Sequence, residues 1–422
     1  FGRDFQHWFH PDQIHRRDIQ MYSRIIFLTA MISLALFSGC IRNDVVDISA
    51  DWKLSYEDEE GFKAPEYDDA SWQAVDLPAN LFREQKKQAI WIRKTFVIPE
   101  KMRDRDLAVY LGRVLEVEWT YLNGVNIGSS GYDYPHYFSS WNVSRYYRLP
   151  AELIRYGEPN TFAVRIKADM RPRAMNDFAL MTQQDADIRT FRESFQMKYV
   201  PMIIGFATIL LGLVAFVTFL RERDRELLWF SVLCFLWFVC CAHYYLPDFI
   251  VEYHLHDRLY YALLAIEISM IFVFLENFLK RKILWARVLS ILFSLIAVVF
   301  CVTASEQSPL IGWRMMPIAV FGMVSQLLWG VVIISALRAG NREARPVLYA
   351  WLIFIGLMTI DALAMLQITR RGNMVWINLG YLVILGAVAA IMVQRIARMA
   401  QDLAQSKVEI ESAHGVLAET FG

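Results

Sequence analysis

The chain has 422 residues, long enough for two or three domains, and is 56% hydrophobic with only 20% charged residues. That is too apolar for a wholly soluble protein of this length. Its 43 basic and 43 acidic side chains cancel, so nothing global attracts a polyanion, and no nucleic-acid partner is expected.

Five cysteines are present, Cys40, Cys234, Cys240, Cys241 and Cys301. None falls between 41 and 233, so no disulfide framework braces that stretch. The last four sit in apolar runs without metal-ligand spacing and are read as buried apolar-phase residues. No metal and no cofactor are expected.

Residues 1–20 are aromatic and pattern-free, and are left unassigned as an upstream segment. From Met21 a basic start at Arg24 leads into the apolar run Ile25–Phe37 and then Ser38-Gly39-Cys40. A run this short suits the core of a signal peptide better than a membrane span. The ending FSGC resembles a bacterial lipobox, which makes Cys40 the candidate lipidation site, with Phe37 where such boxes usually carry leucine; the alternative is an uncleaved anchor helix. In either case 21–40 is a signal or lipoprotein signal segment, and the region beyond Cys40 is exported.

Residues 41–175 read as strands. Val117, Trp119 and Tyr121 alternate with Glu116, Glu118 and Thr120, and Phe162, Val164 and Ile166 alternate with Ala163, Arg165 and Lys167. Asn123-Gly124 marks a hairpin, because both residues accept the positive φ that a two-residue turn demands. Short strands with frequent turns predict a β-sandwich or jelly roll, with Trp72, Trp91 and Trp119 in its core.

The order of DDASWQAVDLP (68–78), WIRKTFVIP (91–99), VYLGRV (109–114), VEWTYLNGVNIGSSG (117–131) and YYRLPAELIRYGEPNTFAVRI (146–166) resembles the galactose-binding-like jelly roll that opens family 2 glycoside hydrolases. The resemblance concerns fold, not activity. Catalytic carboxylates in those enzymes lie on a separate barrel of about 250 residues, and no stretch here supplies one, so the chain is not expected to be an enzyme. Within this head the loop GYDYPHYFSSW gathers Tyr132, Tyr134, His136, Tyr137 and Trp141. Aromatic rings with polar neighbours suit a carbohydrate, whose C–H faces stack while its hydroxyls bond. The alternative is that these rings pack the sandwich edge or the membrane interface.

A linker at 176–197 leads to a seven-helix membrane domain at 198–394. Its apolar runs are 199–220, 227–246, 259–279, 285–304, 313–337, 347–368 and 374–393, each about long enough for the roughly 30 Å hydrocarbon core. The basic loops 221–226, 280–282 and Arg338–Arg345 alternate with acidic or neutral ones, which places them in the cytoplasm and the head outside; Arg370-Arg371 dissents. The localisation expected is therefore the cell (inner) membrane, multi-pass. No lysine lies within a span, which excludes a retinal Schiff base. Ionisable residues inside spans are costly and mark sites: Glu267, Asp361, Arg314 and His243 form the candidate intramembrane polar site. Arg314 is expected to pair with Asp361 above Glu267, or the group serves as glue between helices.

Beyond Val393 the chain turns polar without a helix breaker. Ile396, Leu403, Ile410 and Leu417 recur every seven residues, with Met399 on the companion stripe. Residues 395–422 are read as a cytoplasmic coiled coil joining two copies of the chain, the alternative being an amphipathic helix on the membrane. The whole order resembles bacterial seven-transmembrane receptors with diverse intracellular signalling modules. That resemblance implies signal transduction from an extracellular ligand to a cytoplasmic cyclase, kinase or phosphatase, lying beyond Gly422 or in a partner. The other readings are a transporter or channel with an accessory sugar-binding domain, and a membrane-anchored adhesion module.

Overall fold

The protein is described by a computed structural model over residues 45–81, 88–115, 117–168, 173–174, 178–246, 251–303, 315–365 and 376–421. Cys40, Arg314 and Arg370-Arg371, with the signal segment, lie outside the described residues. Val46–Gly422 holds together as one compact unit.

The head is a β-sandwich. Its six-stranded sheet runs β3 (Gln73–Val75), β2 (Trp52–Ser55), β5 (Gln88–Val97), β11 (Pro159–Ala168), β8 (Val117–Leu122) and β9 (Val125–Ser130). Facing it is a four-stranded sheet of β1 (Val46–Asp47), β13 (Ala179–Thr182), β6 (Leu107–Gly112) and β10 (Arg145–Arg148). A small sheet of β4 (Ala79–Asn80), β12 (Arg173–Ala174) and β7 (Val114–Leu115) closes one side. Leu54, Ile92, Phe162 and Val164 from the first sheet meet Leu107, Val109, Leu111 and Leu180 from the second in a common apolar core. The β8–β9 turn is the one the sequence demands, with φ of 49° at Asn123 and 85° at Gly124.

The alternation of β8 has an unexpected polarity. Glu118, Thr120 and Leu122 stand opposite Ile166, Val164 and Phe162, so the acid and the threonine face the sandwich interior. Glu118 is fully buried there and accepts hydrogen bonds from Thr120 Oγ1 (2.8 Å) and the Tyr147 hydroxyl, with Arg145 Nη1 3.5 Å away. Burial pushes its carboxyl above the ordinary carboxylate value, against the pull of Arg145. The aromatic side of the strand points outward, where Arg165 covers the Trp119 ring at 5.0 Å. Trp119 and Trp72 are therefore half-buried, and Trp91, fully buried, sits with Phe62 beneath the segment 56–72 and not between the sheets. Buried Arg93 pins that segment by bonding Asp69 (3.0 Å) and the carbonyls of Phe62 and Ala64.

Within the stretch read as a linker, residues 179–197 are secondary structure. Ala179–Thr182 supplies β13, filling the gap between β1 and β6, and Thr182 then caps α1 (Gln183–Ser194) by accepting from the Asp185 N–H at 3.2 Å. α1 covers the outer face of the four-stranded sheet, with Ala186 against Ala108, Tyr110 and Met181. A π-turn, Phe195–Tyr199, joins α1 without interruption to α2 (Val200–Glu222). Pro201 explains the wide turn, since proline can neither donate to the carbonyl four residues back nor clear it.

Among the described residues six further helices follow: α3 (Arg225–Tyr245), α4 (Tyr253–Phe278), α5 (Leu284–Thr303), α6 (Met315–Arg338), α7 (Ala344–Met365) and α8 (Trp376–Phe421). Helices α2 to α8 are each long and apolar enough to cross a membrane. Lipid tails are as apolar as leucine, so close fit holds the bundle. At Gly212 a β-carbon would lie 2.7 Å from Cys234 Cβ, so α3 can approach α2 only because that position has none. The 46 residues of α8 form one helix from the membrane through the tail; its pairing with a second copy is not part of the single-chain fold.

Glu118→Ala is expected to destabilise the head by about 3–5 kcal/mol, because it leaves the Arg145 charge buried without its carboxylate. Denaturant unfolding followed by tryptophan fluorescence, with Glu118→Gln as the milder control, checks this.

Candidate functional site

The aromatic loop of the head is spent largely on the bundle. Tyr137 and Phe138 are buried against Tyr253, the first residue of α4, with ring centroids 5.5 and 5.9 Å apart. Tyr137 also stacks on His254 (5.6 Å) and on Tyr134 (5.4 Å), whose hydroxyl is 3.3 Å from His254 Nε2. Trp141 packs on His243 (5.6 Å) and Tyr244 (5.9 Å) at the end of α3, and Asn142 Nδ2 donates to the Tyr244 carbonyl at 2.5 Å. Tyr132 and His136 remain exposed, and Tyr134 is partly so. Tyr137 and Trp141 are thus packed on the ends of α4 and α3.

This loop is wired to the rest of the head. Arg145 donates through Nη2 to the Ser140 and Val114 carbonyls (2.8 and 2.9 Å), tying the loop to Glu118 in the core. On its other side Ser144 donates to Glu193 of α1 at 2.6 Å, and the Tyr110 hydroxyl donates to the same carboxylate. Arg189 stands 3.5 Å from Glu193 and covers the Tyr110 ring at 3.9 Å. Burial and the neighbouring carboxylate push the Tyr110 hydroxyl well above the ordinary tyrosine value, so it stays a donor. Burial pulls the Arg113 guanidinium below its usual value in the same neighbourhood.

Among the described residues, the intramembrane candidates His243, Glu267 and Asp361 each bond to different partners. His243 belongs to the seam, stacked on Tyr260 at 4.1 Å with its Nδ1 3.3 Å from His256 Nε2. Glu267 is buried deeper, accepting from the Tyr381 hydroxyl of α8 at 2.5 Å and facing Cys240 Sγ at 3.5 Å. Tyr381 in turn stacks on Trp237 of α3 at 3.7 Å, so Glu267 joins three helices. Asp361 serves α8 differently: its two carboxylate oxygens accept from the N–H groups of Trp376 (3.1 Å) and Ile377 (2.8 Å), capping the helix start. The expected Arg314–Asp361 pair falls on an undescribed residue.

Sequence reasoning missed the residue that holds the other end. Arg395 of α8 donates to Glu226 at the start of α3 (2.6 Å), to Glu343 before α7 (2.9 Å) and to the carbonyl of Phe278 at the end of α4 (3.0 Å). Its guanidinium also covers the Phe278 ring at 4.4 Å. The legible signal was Glu226 and Glu343, acids in two arginine-bearing loops that face a polar helix, α8, just past its apolar run. Beyond this anchor Met399 and Ile410 are exposed, whereas Ile396 still packs on the bundle. Nothing is described of the side chains of Leu403 and Leu417.

The fold is that of a multi-pass membrane protein with a β-sandwich head. Residues 199–400 match the model of the family described as 7TM diverse intracellular signalling, the stretch that holds the seven long apolar helices. The head is similar to solved glycoside hydrolases. A β-glucuronidase of glycoside hydrolase family 2 aligns at 16% identity and TM-score 0.30 over 34% of this chain and 18% of its own. The Bacteroides uniformis β-glucuronidase aligns at 17% and 0.28 over 33% and 18%, and the Ruminococcus gnavus β-glucuronidase at 13% and 0.28 over 34% and 30%. The chain thus spans less than a third of those enzymes. No curated protein sequence matches it.

Two outcomes test the geometry at the two ends. Arg395→Ala is expected to cost about 1.5–3 kcal/mol of α8 anchoring through its charged hydrogen bonds, and a double-mutant cycle with Glu343→Ala should be strongly non-additive. Arg395 holds the Glu343 carboxyl below its ordinary value of 4.5. The contribution is therefore present above that value and lost as acid carries Glu343 through its lowered one; hydrogen exchange along α8 against pH reads both. At the other end, Trp141→Ala should speed exchange in the seam loop while leaving the sandwich core protected.

Proposed function

We propose that this chain is a receptor of the cell (inner) membrane, with its head outside, that senses an extracytoplasmic ligand, a carbohydrate in the first instance, and passes a change of state to α8. The observation that carries this is the double attachment of the head. It is packed on the outer ends of α3 and α4 through Tyr137 and Trp141, and it shares the continuous helix Gln183–Glu222 with the bundle. A passive anchor needs neither. The basic residues of the loops at the opposite end favour a cytoplasmic placement of that end by the positive-inside rule.

Inside the bundle the path has two fastenings on α8, the hydroxyl of Tyr381 on Glu267 and the guanidinium of Arg395 on Glu226 and Glu343. A ligand that prefers one seating of the head moves this system only by its difference in affinity between the two states. The tail then reports by changing its pairing with a second copy through Ile396, Met399, Leu403, Ile410 and Leu417. Exposure of Met399 and Ile410 supports that surface. An output module, a cyclase, kinase or phosphatase, would read the change.

Cysteines placed at Met399 and Ile410 are expected to cross-link two chains in membranes, and a cysteine at Gln401, off the heptad stripe, is not. In lipid nanodiscs, a glycan panel should contain a ligand that changes the tail-to-tail distance measured between spin labels at those positions. Cross-linking equal at all three positions, or a bound glycan that leaves the distance unmoved, would sink the receptor reading.

A further inference from the structure

Where the head meets the bundle a cleft of about 360 Å³ remains open. It is walled by the end of β9 and the adjoining turn (Ser129, Ser130, Tyr132), by the seam loop (Ser140, Asn142) and by Lys198 of the π-turn. Tyr245 and Leu246 at the end of α3 form its apolar lip. The volume is within the range of small-molecule sites, which pair an apolar wall with a few convergent polar groups.

Lys198 decides the chemistry. It is half-buried, and among the described residues it meets no carboxylate at ion-pair distance. Elsewhere in the head half-buried Arg165 is matched by Asp58, and the buried Arg93 and Arg145 by Asp69 and Glu118. An ammonium left without a counter-charge beside three serine hydroxyls is suited to an anion whose other oxygens can take and give hydrogen bonds. Lysine serves phosphate as a point charge, and the exposed Tyr132 ring offers a face to a carbon skeleton. The apolar lip sets the cleft at the boundary between bilayer and water.

We infer that this cleft binds a polyol phosphate, with Lys198 on the phosphate and Ser129, Ser130 and Ser140 on its oxygens and hydroxyls. The source is either a free polyol phosphate or the headgroup of a glycerol-phosphate lipid entering past Leu246. Because its walls belong to the head, the π-turn and α3, an occupant bridges the parts that must shift for the head to reseat. That consequence rests on the receptor reading; the binding does not.

The full chain in phosphatidylcholine nanodiscs is titrated with glycerol 1-phosphate and followed by calorimetry. In parallel, nanodiscs of mixed phosphatidylcholine and phosphatidylglycerol are probed by native mass spectrometry for retained phosphatidylglycerol. Saturable binding in the first arm identifies a free ligand, and selective retention in the second identifies a lipid. Either should fall about tenfold or more in Lys198→Met, the loss expected of one charged hydrogen bond. It should persist in Lys198→Arg and vanish in Ser129→Trp, which fills the cleft from an exposed position. Unchanged thermal transitions in the variants separate this from misfolding. Absence of binding in both arms, or binding equal in wild type and Lys198→Met, overturns the site. Binding that leaves the tail-to-tail distance unmoved keeps the site and counts against the receptor reading instead.

Discussion

One helix, Gln183–Glu222, belongs to both halves of the molecule, and the hydrogen bonds of Tyr110 and Ser144 to Glu193 fix it to the head before it enters the membrane. Without that buried carboxylate α1 would keep the packing of Ala186 on that face but lose these buried hydrogen bonds to it. With it, any rotation of α1 against the four-stranded sheet is also a displacement of α2. The constraint is electrostatic as much as steric: a buried acid must keep its donors, so the sheet, the seam loop and the helix stay together or separate together.

The same logic recurs at three depths. Glu118 holds Arg145 and, through it, the loop that rests on α3 and α4. Glu267 holds Tyr381 in the interior, with its carboxyl fully buried. Arg395 closes the far end on two acids and a helix carbonyl. Between them lie packed rings and close helix contacts, Trp237 on Tyr381 and α3 against Gly212, which resist gradual deformation. A structure fastened at discrete polar points and close-packed in between suits switching between two arrangements better than bending.

The aromatic residues show how one composition serves two ends. Rings are large, rigid and amphipathic, which fits a sugar platform and a membrane-proximal joint equally. Here Tyr137 and Trp141 are joint, Tyr132 and His136 remain free to meet solvent, and Tyr134 touches both worlds. A ligand near the exposed members would press directly on the buried ones.

Elements governed by local rules were legible in the residues alone. The seven spans come from hydrocarbon thickness and the need of a helix to satisfy its own backbone in lipid, and the Asn123-Gly124 hairpin comes from backbone sterics. The ordered jelly-roll segments and the helical tail could be read for the same reason. Three-dimensional packing was needed to settle which face of β8 looks inward, that residues 179–197 hold a strand and a helix, and which charges meet. Glu267 and Tyr381 are 114 residues apart, and Arg395 and Glu226 are 169. No periodicity carries information over that distance, because such pairs are chosen by how packed helices bring their ends together.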